Sequence, residues 1–204
     1  VQVQVVDISP SAIHNGLMRA RRHQLANIQY NVGDATIAQF EQGVDLVVAL
    51  HACGALSDVA LGHAVTSGAS FAICPCCFRS NPQLRVKVPI ITTTIQSSLS
   101  PLSNNNNRLA TVAEWLNVAG KEEEQQFETL KSLAEVQGDM DTAAEAIHSI
   151  CALRADAVMR HHPATNDYEA KNKIQVELKT FPVSYSTRNF CIIGTVSSSK
   201  EDSN

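Results

Sequence analysis

The sequence predicts an α/β fold, a Rossmann-like sheet that is mostly parallel and ends in an antiparallel hairpin. Three observations lead there. Short runs rich in apolar and β-branched residues, at Val1–Val6, Ile28–Val32, Asp45–Leu50 and Ser70–Cys74, are separated by segments with helical signals. The run Leu46-Val47-Val48-Ala49-Leu50 is uninterrupted, the pattern of a parallel strand buried on both faces. The last two strand-like runs, Ile174–Phe181 and Phe190–Val196, are joined by Pro182–Asn189, which leaves no room for a helix, so they pair antiparallel.

The elements come in this order. Val1–Val6 is a strand that ends at Asp7. Ser9 offers an N-cap and Pro10 a first helical position. Ile13, Leu17 and Ala20 supply the apolar face of that helix, and Arg19, Arg21, Arg22 and His23 sit near its C-terminus, where the macrodipole favours cations. Ile28–Val32 is followed by Gly33, Asp34 and a short helix over Thr36–Phe40. Ser57 and Asp58 are expected to cap a helix reaching Ser67. Ser70–Cys74 is a strand that Pro75 stops. The pattern then weakens from Phe78 to Asn107, and Asn104–Asn107 is a low-complexity run of the solvated-loop kind. Helical stretches cover Arg108–Val118, Lys121–Val136 and Asp139–His161. The last has Asp139 as N-cap and a buried stripe of Ala143, Ile147, Ile150, Ala157 and Val158. The polar tail Ser197–Asn204 is expected to be disordered.

Composition narrows the function classes. The chain has 204 residues, 44% hydrophobic and 18% charged, enough for one domain with a substantial core. A net charge of -4 carries no general nucleic-acid footprint, although a small basic patch would suffice for an RNA substrate. No segment has the apolar length to cross a bilayer, and no signal peptide is visible. The six cysteines, Cys53, Cys74, Cys76, Cys77, Cys151 and Cys191, are therefore expected to be reduced in a cytoplasmic protein.

Candidate site residues lie where strands end, because ligands of open α/β sheets bind at the carboxyl ends of strands. Asp7 can accept hydrogen bonds from both hydroxyls of a ribose, or simply cap the next helix. Asp34, beside Gly33 and Ala35, can accept from an amino group on a ring, or form an ordinary turn. In Leu50-His51-Ala52-Cys53-Gly54, Gly54 permits a tight turn beside a ligand, and His51 suits a base or a hydrogen-bonding partner for substrate. Alternatively His51 only bonds to backbone at the strand end. Cys74-Pro75-Cys76-Cys77 has three readings: small buried residues, metal ligands with Cys53 or His51, or a nucleophilic thiolate. Paired zinc ligands favour two or more intervening residues, and here there is one or none, so no metal is expected.

The segment Asp45–Asp58 with its Leu50–Gly54 motif, the Cys74-Pro75-Cys76-Cys77-Phe78 stretch, and Ser186-Thr187-Arg188-Asn189 before the final strand resemble one group of proteins. They resemble the class I S-adenosylmethionine-dependent methyltransferase domains of the family that includes the glutathione S-transferase C-terminal domain-containing protein. More distantly they resemble tRNA 2′-O-methyltransferases with a Leu-Cys-Gly motif at this place. The resemblance spans Val1–Val196. It implies a methyltransferase domain over 1–196 with a helical insert at about 78–172 that builds or covers the acceptor site, and a tail over 197–204.

The resemblance also implies roles. S-adenosylmethionine would be the cofactor, held by Asp7, Ile8, Asp34, Ala35, Leu50 and His51. His51, Cys53 and Cys76 are the catalytic candidates. Gly54, Pro75, Cys76, Cys77 and Phe78 would line the acceptor pocket. The class carries a glycine-rich turn after its first strand, and no Gly-x-Gly occurs here. The chain is thus expected to enter the domain at its second strand and to be inactive alone. RNA is slightly favoured as acceptor, and the oligomeric state is left open.

Two other functions compete. A methyltransferase fold that has lost its chemistry would serve as a binding module, since fold does not dictate activity. A nicotinamide-dependent oxidoreductase would also use an acid after a strand. The antiparallel terminal hairpin and the lack of a Tyr-x-x-x-Lys pair count against it.

Overall fold

The structure, a computed structural model, describes residues 1–40, 43–89, 107–162, 172–186 and 189–198. The chain divides into two compact units, Val1–Gln42 and Gly43–Asn204.

The first unit holds β1 (Val3–Asp7), α1 (Pro10–Arg22) and β2 (Ile28–Val32). β1 and β2 pair in parallel, with Asp7 opposite Val32. α1 starts where its sequence says. Ser9 is the N-cap, its hydroxyl accepts from the Ala12 amide, Pro10 follows, and Ile13 and Ala20 are buried. The expected helix after β2 does not form: Ala35–Ile37 makes only a turn, fixed by the Thr36 amide donating to Asp34 Oδ1 at 2.8 Å. That local bond offers the backbone an alternative to helix, as Asp side chains commonly do.

The second unit holds β3 (Leu46–Cys53), α2 (Leu56–Ser67), β4 (Ser70–Cys76), β5 (Val86–Pro89), β6 (Asn107–Ala110), α3 (Val112–Leu116), α4 (Lys121–Leu133), α5 (Met140–His161), β7 (Asn172–Thr180) and β8 (Phe190–Ser198). Its main sheet runs β3-β4-β8-β7, and β5-β6 form a separate antiparallel pair. β3 and β4 are parallel; β8 is antiparallel to both β4 and β7, so the expected hairpin is present. Parallel pairing among the described residues is confined to β1-β2 and β3-β4. The core gathers Phe71, Ile73 and Ile192 of the sheet with Leu61 of α2, Trp115 of α3 and Ile150 of α5. Gly194 stands opposite Phe71, and a Cβ there would come within 2.1 Å of the Phe71 ring, so the glycine makes room for the aromatic.

Several expectations are corrected. β3 is not buried on both faces. Leu46, Val48 and Leu50 are 57%, 66% and 72% exposed, while Val47 and Ala49 pack on the core. Pro75 does not stop β4, which runs through it to Cys76, because Pro75 pairs with Ala52 at a register shift that needs no regular ladder. Ser57 and Asp58 do not cap α2. Its N-cap is Ala55, Ser57 donates to the Ala52 carbonyl at 2.6 Å, and Asp58 is buried in an ion pair. Arg108 and Leu109 are in strand β6, so the segment expected as one helix over 108–118 is a strand and the short α3, started by a Thr111–Glu114 capping box. The region expected as a helical insert also contains β5. Asn104–Asn106 lie outside the described residues, as do Thr187 and Arg188 of the final hairpin; Asn107 opens β6. Ser197 and Ser198 extend β8 and do not belong to a disordered tail, whose remainder, 199–204, lies outside the described residues. α5 agrees with its sequence: Asp139 is the N-cap, and the stripe from Ala143 to Val158 is buried.

Cys74 and Cys191 are joined by a disulfide, with Cα atoms 4.4 Å apart, which corrects the expectation that all thiols are reduced. The reason is the register. Ile73 faces Ile192 across β4 and β8, so Cys74 and Cys191 are the next opposed pair. The bridge closes a sequence separation of 117 residues. Reduction is expected to lower stability by about 2–4 kcal/mol, because the denatured chain regains loop entropy. Denaturation midpoints with and without reductant measure this; equal midpoints in a protein with the bond mapped by mass spectrometry would refute it.

Candidate functional site

The site residues expected from sequence fall into both units. Asp7, Ile8, Asp34 and Ala35 belong to the first; Leu50, His51, Cys53, Gly54, Pro75, Cys76, Cys77 and Phe78 belong to the second.

In the first unit both aspartates follow parallel strands at the same end. Asp7 closes β1, and its carbonyl accepts from the Gly33 amide at 3.0 Å, which ties the two strand ends together. Asp7 Oδ1 accepts from the Ser9 amide at 2.7 Å, and Asp34 Oδ1 from the Thr36 amide at 2.8 Å. Each carboxylate is thus oriented by a backbone amide two residues on. Both side chains are exposed, and Ala35 is half-buried. Ile8, Val32 and Ile37, at 75%, 55% and 66% exposure, bring apolar surface to this same end. Val32 and Ile37 were not singled out by the sequence. The signal available was their place beside Gly33-Asp34, where apolar residues flank a turn.

In the second unit the ends of β3 and β4 form one connected loop pair. His51 has φ +55°, at the point where the β3–β4 register shifts between Leu50 and Ala52. Cys77 and Asn81 are also left-handed, at φ +47° and +53°. Non-glycine residues rarely adopt this conformation, and it concentrates at functional sites. Hydrogen bonds lock the two loops together. The Gly54 amide donates to the Cys76 carbonyl at 2.8 Å, the Ala55 amide to the Ser80 carbonyl at 3.2 Å, and Asn81 Nδ2 to the Cys53 carbonyl at 3.0 Å. His51 and Leu50 are exposed, whereas Gly54 and Pro75 are buried.

The thiols converge. Cys53 Sγ lies 3.1 Å from Cys76 Sγ, and Cys53 also donates to the His51 carbonyl at 3.4 Å. Cys76 is buried and Cys77 exposed. Burial, with the neighbouring thiols adding to it, pushes the Cys76 thiol well above the ordinary range. Burial also raises the Cys53 thiol. A raised thiol is mostly protonated at neutral pH, which disfavours a free thiolate nucleophile at either position.

Beneath the loops lies a feature the sequence did not announce. Arg154 of α5 holds Asp58 of α2 through Nε to Oδ1 at 3.0 Å and Nη2 to Oδ2 at 2.7 Å, and Nη2 also donates to the Gly54 carbonyl at 3.0 Å. Both side chains are almost fully buried, and the guanidinium carbon lies 5.9 Å from the Phe78 ring centre. Phe78 lines a cavity of about 230 Å³ with Ala55, Asp58, Ser80, Phe127 and Arg154. The pair joins residues 96 apart in sequence, so no local pattern could reveal it.

The stretch that carries these strand ends is similar to known proteins. Residues 1–81 match a methyltransferase domain family. The methyltransferase match takes in every expected site residue, and it ends well before Val196, where the resemblance was expected to end. The chain is also similar to two proteins named glutathione S-transferase C-terminal domain-containing protein. The one from Xenopus laevis is 42% identical over 53 residues, 26% of this chain and 7% of that protein. The one from Homo sapiens is 31% identical over 77 residues, 38% of this chain and 12% of that protein. The matched stretches therefore span a small part of these relatives' length. No solved structure matches. Among the described residues, no helix is long and apolar enough to cross a membrane.

Proposed function

We propose that this chain belongs to an S-adenosylmethionine-dependent methyltransferase with a Rossmann-like sheet. The observation that carries the reading is the pair of aspartates after two adjacent parallel strands, each carboxylate oriented by a local amide, within the stretch that matches the methyltransferase family. Asp7, with Ile8, would receive the ribose hydroxyls, and Asp34, with Ala35, the adenine amino group. The exposed Ile8, Val32 and Ile37 supply the apolar surface that a purine ring requires. S-adenosylmethionine supplies an electrophilic methyl group when bound. In the second unit, His51 at the end of β3 would take a proton from, or hydrogen-bond to, the methyl acceptor. Methyl transfer needs mainly in-line positioning, plus deprotonation of a weak nucleophile, so a single histidine on a rigid strand end is sufficient equipment. RNA is the acceptor class to test first.

Calorimetric titration of the natural full-length protein with S-adenosylmethionine and S-adenosylhomocysteine tests this. Micromolar binding is expected. Asp7→Ala should weaken it by about 10- to 100-fold, since a hydrogen bond to a charged group contributes about 1.5–3 kcal/mol. A folded protein that binds neither compound would refute the enzyme reading and leave a methyltransferase-like binding module.

A further inference from the structure

We propose that Cys53, Cys76 and Cys77 form a three-thiolate site for zinc, with the fourth coordination position open to water. The three Sγ atoms lie within 4.8 Å of one another. A tetrahedral centre with metal–sulfur bonds of about 2.3 Å needs sulfurs about 3.8 Å apart, so the close Cys53–Cys76 pair must open slightly and the longest separation, at most 4.8 Å, must close by up to about 1 Å.

The spacing that argues against a metal in an extended chain is overcome by the turn. Successive side chains on a strand point to opposite faces. Cys77 comes just after the end of β4 with φ +47°, and this left-handed turn lets its sulfur come back beside that of Cys76. Cys53 arrives from the neighbouring strand, where it is the register partner of Cys76. The loop-to-loop hydrogen bonds through Gly54, Ala55 and Asn81 hold all three in place without help from the thiols. The strained backbone thus has an assignment: it gathers three sulfurs.

The chemistry agrees. A dication held at three converging sulfurs deprotonates them, because a coordinating thiol gives up its proton outright. Binding one Zn²⁺ forms three metal–sulfur bonds and releases three protons to solvent. Soft thiolate ligands select zinc over hard cations. Three protein ligands with one open position is the pattern of catalytic zinc, where a closed structural site would have four. Metal binding at these sulfurs does not depend on the methyltransferase reading.

The test uses the natural protein, freshly reduced with a phosphine. After equilibration with zinc and removal of excess, elemental analysis should find one ion per chain. Cobalt in its place should give a thiolate-to-metal charge-transfer band. Cys77→Ala, at an exposed position, should lose both. Without any substitution, bound zinc should protect Cys53, Cys76 and Cys77 from alkylation, read peptide by peptide. The proposal is overturned if no stoichiometric ion binds, if Cys77→Ala retains it unchanged, or if zinc leaves alkylation of these cysteines unaltered. A disulfide between Cys53 and Cys76 in protein purified without reductant would likewise overturn it and identify a redox pair.

Discussion

Asp58→Ala is expected to destabilise the second unit by about 3–5 kcal/mol, the usual cost of removing one partner of a buried ion pair. The arginine carries the reason. Arg154 is 2% exposed, and its charge is compensated by the two oxygens of Asp58 and by the Gly54 carbonyl. Without Asp58 a guanidinium stays in the core with one carbonyl as its remaining hydrogen-bond acceptor among those the structure gives it. Asp58 also lies in the first turn of α2, where the helix dipole favours a negative charge, so its loss removes a second favourable interaction. The double variant Asp58→Leu with Arg154→Met should recover much of the loss, since apolar replacements of a buried pair are often neutral or stabilising. Urea denaturation of the single and double variants measures both. A loss below about 1 kcal/mol for Asp58→Ala would mean that water reaches the pair, because exposed pairs contribute that little.

Gly54→Ala is expected to cost about 2–6 kcal/mol and to separate the two site loops, by strain and overpacking together. Gly54 has φ +55°, where a side chain is strained by roughly 1–3 kcal/mol. An added Cβ would also lie 1.8 Å from the Ser80 carbonyl oxygen, a backbone atom that cannot swing aside as a side chain can. Overpacking of that kind adds about 1–3 kcal/mol. Gly138 is the control. It has φ +89°, yet an added Cβ meets nothing within 4 Å, so Gly138→Ala should show the conformational cost alone. If the two variants lose equal stability, close packing of Gly54 on Ser80 is not what sets the cost. Since Gly54 also donates to the Cys76 carbonyl and accepts from Arg154, its variant should raise the alkylation rate of Cys53 and Cys76 as the loops part.

The elements that sequence revealed best are those specified by neighbouring residues. Ser9-Pro10 starts α1, Asp139 starts α5, and the interval Pro182–Asn189 forces an antiparallel return. The elements it misread are decided by partners far away. Pro75 ends a strand in isolation, but here it sits opposite a bulge of β3 that asks no donor of it. Asp58 reads as a helix cap until Arg154 arrives from the far side of the chain. Arg108 and Leu109 share their helical look with the α3 residues, and only pairing to β5 makes them a strand. Leu46, Val48 and Leu50 look like core because an apolar run does not say which faces are covered. For the site, the positions of Asp7, Asp34, His51 and the cysteines were legible because strand ends are legible. The convergence of three sulfurs was not, since it rests on a left-handed Cys77 that no residue type announces.

The order of strands has a consequence for biosynthesis. β8 lies between β4 and β7, so the last of the described strands occupies an inner place in the sheet. β4 is translated more than a hundred residues earlier, and its Phe71 and Ile73 await Gly194 and Ile192. Until β8 is made, β4 is paired with β3 along one edge only, and closure of the other edge depends on contacts of high sequence separation, which form slowly.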